Sequence, residues 1–172
     1  MRNLARIVED FLEYARHRTL QVDRIDARQL LSELRELALP LAEAKQVTIE
    51  INAGETALRG DRELLRRALL NLVRNAVEAA PPGSTVTLEA TSDGRATALA
   101  VLDGGAGIGH VPADKLFRPF FTTKEKGTGL GLALAKKIAD AHGATLTLET
   151  NPSNGTAARM RFNAAGDKPP PY

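Results

Sequence analysis

A chain of 172 residues is long enough for one packed domain with a small appendage, and Lys+Arg 23 against Asp+Glu 21 gives a net charge of +2 with no basic run pointing to nucleic acid. Hydrophobic residues make up 43% and aromatics only 4%, so Leu, Ala, Val and Ile must build the core. The absence of cysteine excludes disulfides, thiolate nucleophiles and Cys-ligated zinc, no apolar run reaches the length of a membrane span, and both features suit the cytoplasm.

Leu4, Ile7, Val8, Phe11, Leu12 and Ala15 recur at helical spacing, which predicts a first helix with one apolar stripe. Asp26 is placed to cap a second helix through "ARQLLSELRELALPLAEAKQ", with Pro40 as a kink point. Val47 to Ile51 alternates as a half-buried strand does and ends at a turn from Asn52 to Gly54. Asp61 caps a third helix, "RELLRRALLNLVRNAVEAA", which the Pro81-Pro82-Gly83 breaker stops. "TVTLEAT" and "ATALAVLD" are strands joined by the hairpin signal Ser92-Asp93-Gly94. "TGLGLALAKKIADAH" reads as a helix with Gly143 as its C-terminal cap, and "ATLTLET" and "TAARMRF" as a last hairpin around Asn154-Gly155. Helices and strands are grouped, not strictly alternating, which predicts an α+β two-layer sandwich with helices on one face of a mostly antiparallel sheet.

The chemistry concentrates in three stretches. In "NLVRNAVEAA", Asn71, Asn75 and Glu78 share one helical face beside the buried side of Leu72, Val73, Ala76 and Val77. The carboxamide pair is either a satisfied structural pair or a source of oxygen ligands for a hydrated magnesium ion. "LDGGAGIG" ends a strand with Asp103, an acceptor able to take a hydrogen bond from an exocyclic amino group such as that of adenine. It is equally the pattern of an ordinary glycine turn. "KGTGLGLALAKK" runs a glycine loop into a helix start, where unpaired backbone N–H groups favour anions and Lys124 and Lys126 add charge. The loop lacks the Lys-Ser/Thr ending of a P-loop. His17, His110 and His142 are too scattered for a metal constellation, and each reads as a loop or helix-end residue.

Taken in order, the three stretches resemble the N, G1 and G2 boxes of the ATP-binding domain of sensor histidine kinases, and "LFRPFFTTK" is similar to the F box of that family. The resemblance implies the Bergerat-type fold of the gyrase, chaperone, kinase and mismatch-repair ATPases, with ATP and Mg²⁺ as ligands. By position it implies that Asn75 holds magnesium, that Asn71 is a polar contact on the phosphate side, and that Asp103 accepts from adenine with Gly105 and Gly107 around the base. Gly127, Gly129 and Gly131 become hinges of a phosphate-covering lid. The nucleotide-binding set also takes in Glu78, Ile108, Gly109, Phe120, Thr122, Thr123, Lys124, Thr128, Leu130 and Leu132.

The resemblance divides the chain into residues 1–22, similar to the second helix of a dimerisation and phosphoacceptor hairpin, a catalytic domain over 23–164, and a disordered tail over 165–172. It implies that the phosphoacceptor histidine lies on a helix outside this chain, since "HRTL" at His17 lacks the acidic residue that follows that histidine. The implied partners are ATP or ADP, the phosphoacceptor helix of the parent kinase, a response regulator and, through the first helix, a weak homodimer. Two departures from the family pattern stand out: Asp103-Gly104-Gly105 in place of Asp-Asn-Gly, and Glu78 where a basic residue is frequent, with Lys124 the nearest substitute cation.

Hydrolytic members of the group, and the serine-directed anti-sigma kinases, place a glutamate base where this chain has Asn71. A carboxamide takes no proton at neutral pH, which favours a kinase acting on an imidazole. The alternatives are a non-catalytic nucleotide-binding module and an ATPase.

Overall fold

The computed structural model describes residues 19–109, 111–124, 127–150 and 155–163. The expected first helix with His17, the loop residue His110, Lys126, the turn residue Asn154 and the C-terminal tail lie outside the described residues.

Strand β1 (Asp23–Asp26) leads directly into helix α1 (Ala27–Ala44), whose first turn is closed by Asp26 accepting from the Gln29 N–H at 2.9 Å. Strands β2 (Thr48–Ala53) and β3 (Ala57–Gly60) follow, then helix α2 (Arg62–Ala79), capped as the sequence predicts by Asp61 accepting from the Leu64 N–H at 3.1 Å. Strands β4 (Thr85–Ser92) and β5 (Ala96–Leu102) form the expected hairpin. Beyond them lie the single turn α3 (Ala113–Leu116), helix α4 (Gly131–Ala141), and strands β6 (Thr145–Thr150) and β7 (Thr156–Asn163).

The five-stranded sheet runs β2-β4-β5-β7-β6 and is antiparallel except for the parallel pair β2 and β4. That connection passes over the sheet through α2. Period-2 alternation turns Val86, Leu88, Leu99, Val101, Leu146 and Met160 toward the helices, where they meet Leu30, Leu31 and Leu34 of α1, Leu65, Leu69, Val73 and Val77 of α2, and Ile138 of α4. The opposite face carries half-buried Thr87, Glu89, Thr147 and Arg159. The expected two-layer α+β sandwich is therefore the architecture of the chain.

Several boundaries differ from the sequence reading. The last helix starts at Gly131, not Thr128, because Thr128 to Leu130 is held as loop: the Thr128 hydroxyl accepts from the Leu130 N–H, and Gly129 takes a φ of 69°. Strand β2 runs on through Asn52 and Ala53, which pair with Glu89 and Ala90 of β4. Strands β1 and β3, an antiparallel pair that joins Ile25 to Leu58, and the turn α3 were not anticipated.

Candidate functional site

A cavity of about 600 Å³ opens between α2, the loop after β5, the approach to α4 and the last two strands. Its walls are two-sided. Leu72, Ala76, Val101, Ile108, Leu148 and Ala158 supply apolar surface, while Asn71, Asn75, Asp103, Thr128 and Lys124 converge from different elements. That mixture, at that volume, suits a flat organic ring with a polar extension.

Asp103 lies one residue past β5 and is only 5% exposed. Its Oδ1 accepts from the Gly105 N–H at 2.8 Å and from the Thr156 N–H at 3.1 Å, and its own N–H donates to the Thr156 carbonyl at 2.9 Å. A buried carboxylate is tolerable only where donors meet it, and here they fix the plane of the carboxyl group against the start of β7. Gly155 makes this closeness possible: a Cβ there would stand 1.8 Å from the Asp103 carbonyl oxygen.

At the other end of the cavity, α2 presents Asn71, Asn75 and Glu78 on the face the sequence predicts. Gly131, the first residue of α4, lies against the Asn71 carboxamide. Lys124 reaches across from the loop: its Nζ donates to Asn75 Oδ1 at 3.1 Å and to Glu78 Oε2 at 2.5 Å. Thr122, Thr123, Gly127 and Thr128 complete this rim. The loop is tied together by the Phe120 N–H, which donates to the Gly129 carbonyl at 3.0 Å. Gly129 sits so close to the Phe120 backbone, at a φ of 69°, that a Cβ would fall 2.4 Å from the Phe120 carbonyl carbon.

The family described as histidine kinase-, DNA gyrase B- and HSP90-like ATPase matches residues 60–166, the span from the cap of α2 to the end of β7. This chain belongs to that family. The sensor histidine kinase ZraS of Escherichia coli (strain K12) is 30% identical to it over 155 residues, covering 89% of this chain and 33% of the relative. Full-length ShkA, solved in complex with AMPPNP, superposes with a TM-score of 0.82 at 28% identity, covering 95% of this chain and 37% of that one. The histidine kinase ThkA in complex with the response regulator protein TrrA superposes with a TM-score of 0.79 at 27% identity, covering 93% and 47%. The chain thus spans about a third of the length of a curated relative such as ZraS, and it is an ATP-binding domain of the sensor histidine kinase kind.

Within this kinase-type domain, fourteen of the residues singled out from sequence line the cavity: Asn71, Asn75, Glu78, Asp103, Gly107, Ile108, Thr122, Thr123, Lys124, Gly127, Thr128, Gly129, Gly131 and Leu132. Four do not. Leu130 is fully buried in the core under α4, and Phe120 turns outward, 60% exposed, on a left-handed backbone. Gly105 packs beneath the last turn of α2, touching the cavity only through its bond to Asp103, and Gly109 stands with open space around it. The sequence reading missed Arg74, Ala79, Val101, Leu116, Phe121, Leu148, Thr156 and Ala158. The last three belong to strands read only as a hairpin; nothing local marks them, because they become site residues only when β7 pairs with β5 and brings β6 along on its other side.

Behind the site, Asp61 and His142 join three segments. The Asp61 N–H donates to His142 Nε2 at 2.9 Å, His142 Nδ1 meets the Ile138 carbonyl at 2.7 Å, and Asp61 Oδ2 accepts from the Gln21 N–H at 3.1 Å. These partners require the neutral ring with its proton on Nδ1. Burial pushes the His142 ring below the usual imidazole value, against the Ile138 bond and the Asp61 charge that favour protonation. Burial works against ionisation of Asp61, yet the N–H groups of Gln21 and Leu64 and the nearby His142 hold its carboxyl below the usual range. Among the described residues no cluster of three His, Asp or Glu side chains could hold a metal, and no helix is long and apolar enough to cross a membrane.

Proposed function

We propose that this domain binds Mg-ATP in the cytoplasm and delivers the γ-phosphoryl group to a histidine on the dimerisation helices of its parent kinase, for onward transfer to an aspartate of a response regulator. The observation that carries the reading is one cavity with a fixed buried carboxylate, Asp103, at one end and Asn71, Asn75 and Lys124 at the other. Asp103 accepts from the adenine amino group, and Ile108, Val101 and Leu148 offer apolar surface to the ring. The stretch from Gly127 to Gly131, with the start of α4, faces the phosphates.

Asn75 Oδ1 is the group that would hold magnesium. One protein oxygen beside room for phosphates and waters is the donor set this cation accepts, and no competing carboxylate cluster stands among the described residues. Bound magnesium would neutralise charge on the transferring phosphoryl group. Lys124 adds a second cation at the same rim. Asn71 cannot act as a base toward water, which supports transfer to an imidazole over hydrolysis. The ShkA complex with AMPPNP and the ThkA complex with TrrA support the nucleotide and the response regulator as partners.

Nucleotide titration with and without Mg²⁺ tests the site. Asp103→Asn should lose ATP and ADP alike, and Asn75→Asp should alter the magnesium dependence. Unchanged binding in both variants would sink the assignment.

A further inference from the structure

Lys124 stands where the metal is expected. Its ammonium is hydrogen-bonded to Asn75 Oδ1, the oxygen assigned above to the cation, and Glu78 Oε2 holds it there at 2.5 Å. A magnesium ion on that oxygen would sit about 2.1 Å from it, which puts two positive charges within about 5 Å of each other across a single carboxamide oxygen. Their repulsion favours departure of the ammonium.

The pair is built to exchange. Lys124 and Glu78 side chains are 43% and 40% exposed, a setting in which an ion pair contributes little and breaks readily. The Lys124 backbone is fixed, its N–H donating to Thr122 Oγ1 and its carbonyl accepting from the Gly127 N–H, both at 3.1 Å. The exchange therefore needs only rotation of the side chain.

We propose that Lys124 is a stand-in for the divalent cation in the nucleotide-free domain, and that Glu78 is the positioning residue that keeps it at Asn75 until metal and nucleotide arrive together, when the ammonium passes from Glu78 to a terminal phosphate oxygen. This rests on the nucleotide-site reading above and deepens it: the Glu78–Lys124 pair sets both the metal dependence of the site and its preference for a triphosphate. Without metal, an incoming triphosphate must draw Lys124 away from Glu78 and leave a bare carboxylate beside its own charge. With metal, the cation replaces what the ammonium supplied.

The test is equilibrium binding of ATP and ADP, each in Mg²⁺ and in EDTA, to the unaltered chain, Glu78→Gln, Lys124→Met and the double variant. Glu78→Gln should tighten metal-free ATP by at least about fivefold and Mg-ATP by a smaller factor, so that magnesium dependence shrinks. Lys124→Met should weaken Mg-ATP by about tenfold and Mg-ADP by less than about threefold. In the Lys124→Met background, Glu78→Gln should tighten metal-free ATP by a smaller factor, because only the repulsion of the carboxylate remains and the share that runs through the lysine is gone.

An equal gain from Glu78→Gln in both backgrounds would mean that it merely removes a negative charge, and would overturn the proposal while leaving the site standing. So would ATP binding indifferent to Mg²⁺, or an ATP to ADP ratio unmoved by Lys124→Met. No nucleotide binding by the unaltered chain would overturn both.

Discussion

Two backbone N–H groups, from Gly105 and Thr156, converge on Asp103 Oδ1, and their demand for an acceptor decides what a substitution there does. Asp103→Asn can keep its oxygen toward them, so the fold should survive; its amino group then replaces an acceptor with a donor on the rest of the carboxyl. ATP affinity measured by calorimetry should fall by at least about tenfold, the penalty for a site whose hydrogen-bond sense is reversed. Asp103→Ala leaves both donors without this acceptor and should cost about 1–3 kcal/mol per donor in urea unfolding. Gly155→Ala tests the same geometry from the other side. A Cβ 1.8 Å from the Asp103 carbonyl oxygen forces the start of β7 to move, with a stability loss of about 1–3 kcal/mol and weaker nucleotide binding. Gly155→Ala with the midpoint and affinity of the unaltered chain would show that β7 does not press on Asp103.

The N-terminus of α2 and the C-terminus of α4 meet at Asp61 and His142, and this junction gives the fold a dependence on pH. The half-buried ring has a proton affinity below that of the unfolded chain, whose imidazole titrates near 6.5. The unfolded state therefore binds more protons in the window below 6.5, so the stability due to the neutral ring is complete above that value and is lost as pH falls through the lower folded value. Urea midpoints should decline from about pH 7 to about pH 5 in the unaltered chain, and His142→Gln should flatten that decline. Asp61 contributes a second loss lower down: its carboxyl is held below 3.8, so its contribution is present above that value and disappears as pH falls past it.

Both helix caps at this level, Asp26 and Asp61, were legible because a capping side chain and an amphipathic period lie next to each other in sequence. Strands β1 and β3 were not, since each has four residues and one buried large apolar side chain, Ile25 and Leu58, which is too little for a period to show. The glycine boxes revealed their rims of the cavity, whereas Leu148, Thr156 and Ala158 belong to it only through the sheet order, which no local pattern encodes.

At the scale of the molecule, ligand and fold are linked. A nucleotide at about 100 times its dissociation constant stabilises the native state by about 2.7 kcal/mol, which for a domain of this size raises the melting temperature by about 5–10 °C. Mg-ATP should produce that shift in the unaltered chain and little in Asp103→Asn; equal shifts would place the nucleotide elsewhere. Glu33 ties α1 to α2 through Arg62 at 2.8 Å and Arg66 at 3.5 Å, but these are surface pairs worth about 0–1 kcal/mol each, so salt should move the midpoint only slightly.

The partner that orients Asp103 is Thr156, the first residue of the strand that enters between β5 and β6. On a ribosome, Asp103 and all of α2 and α4 leave the exit tunnel before that strand does, and β6 waits without a neighbour until it arrives. A nascent chain halted before Thr156 would hold every glycine of both boxes and still lack the backbone that holds Asp103 in place, so the proposed site is completed in one step, when β7 pairs with β5.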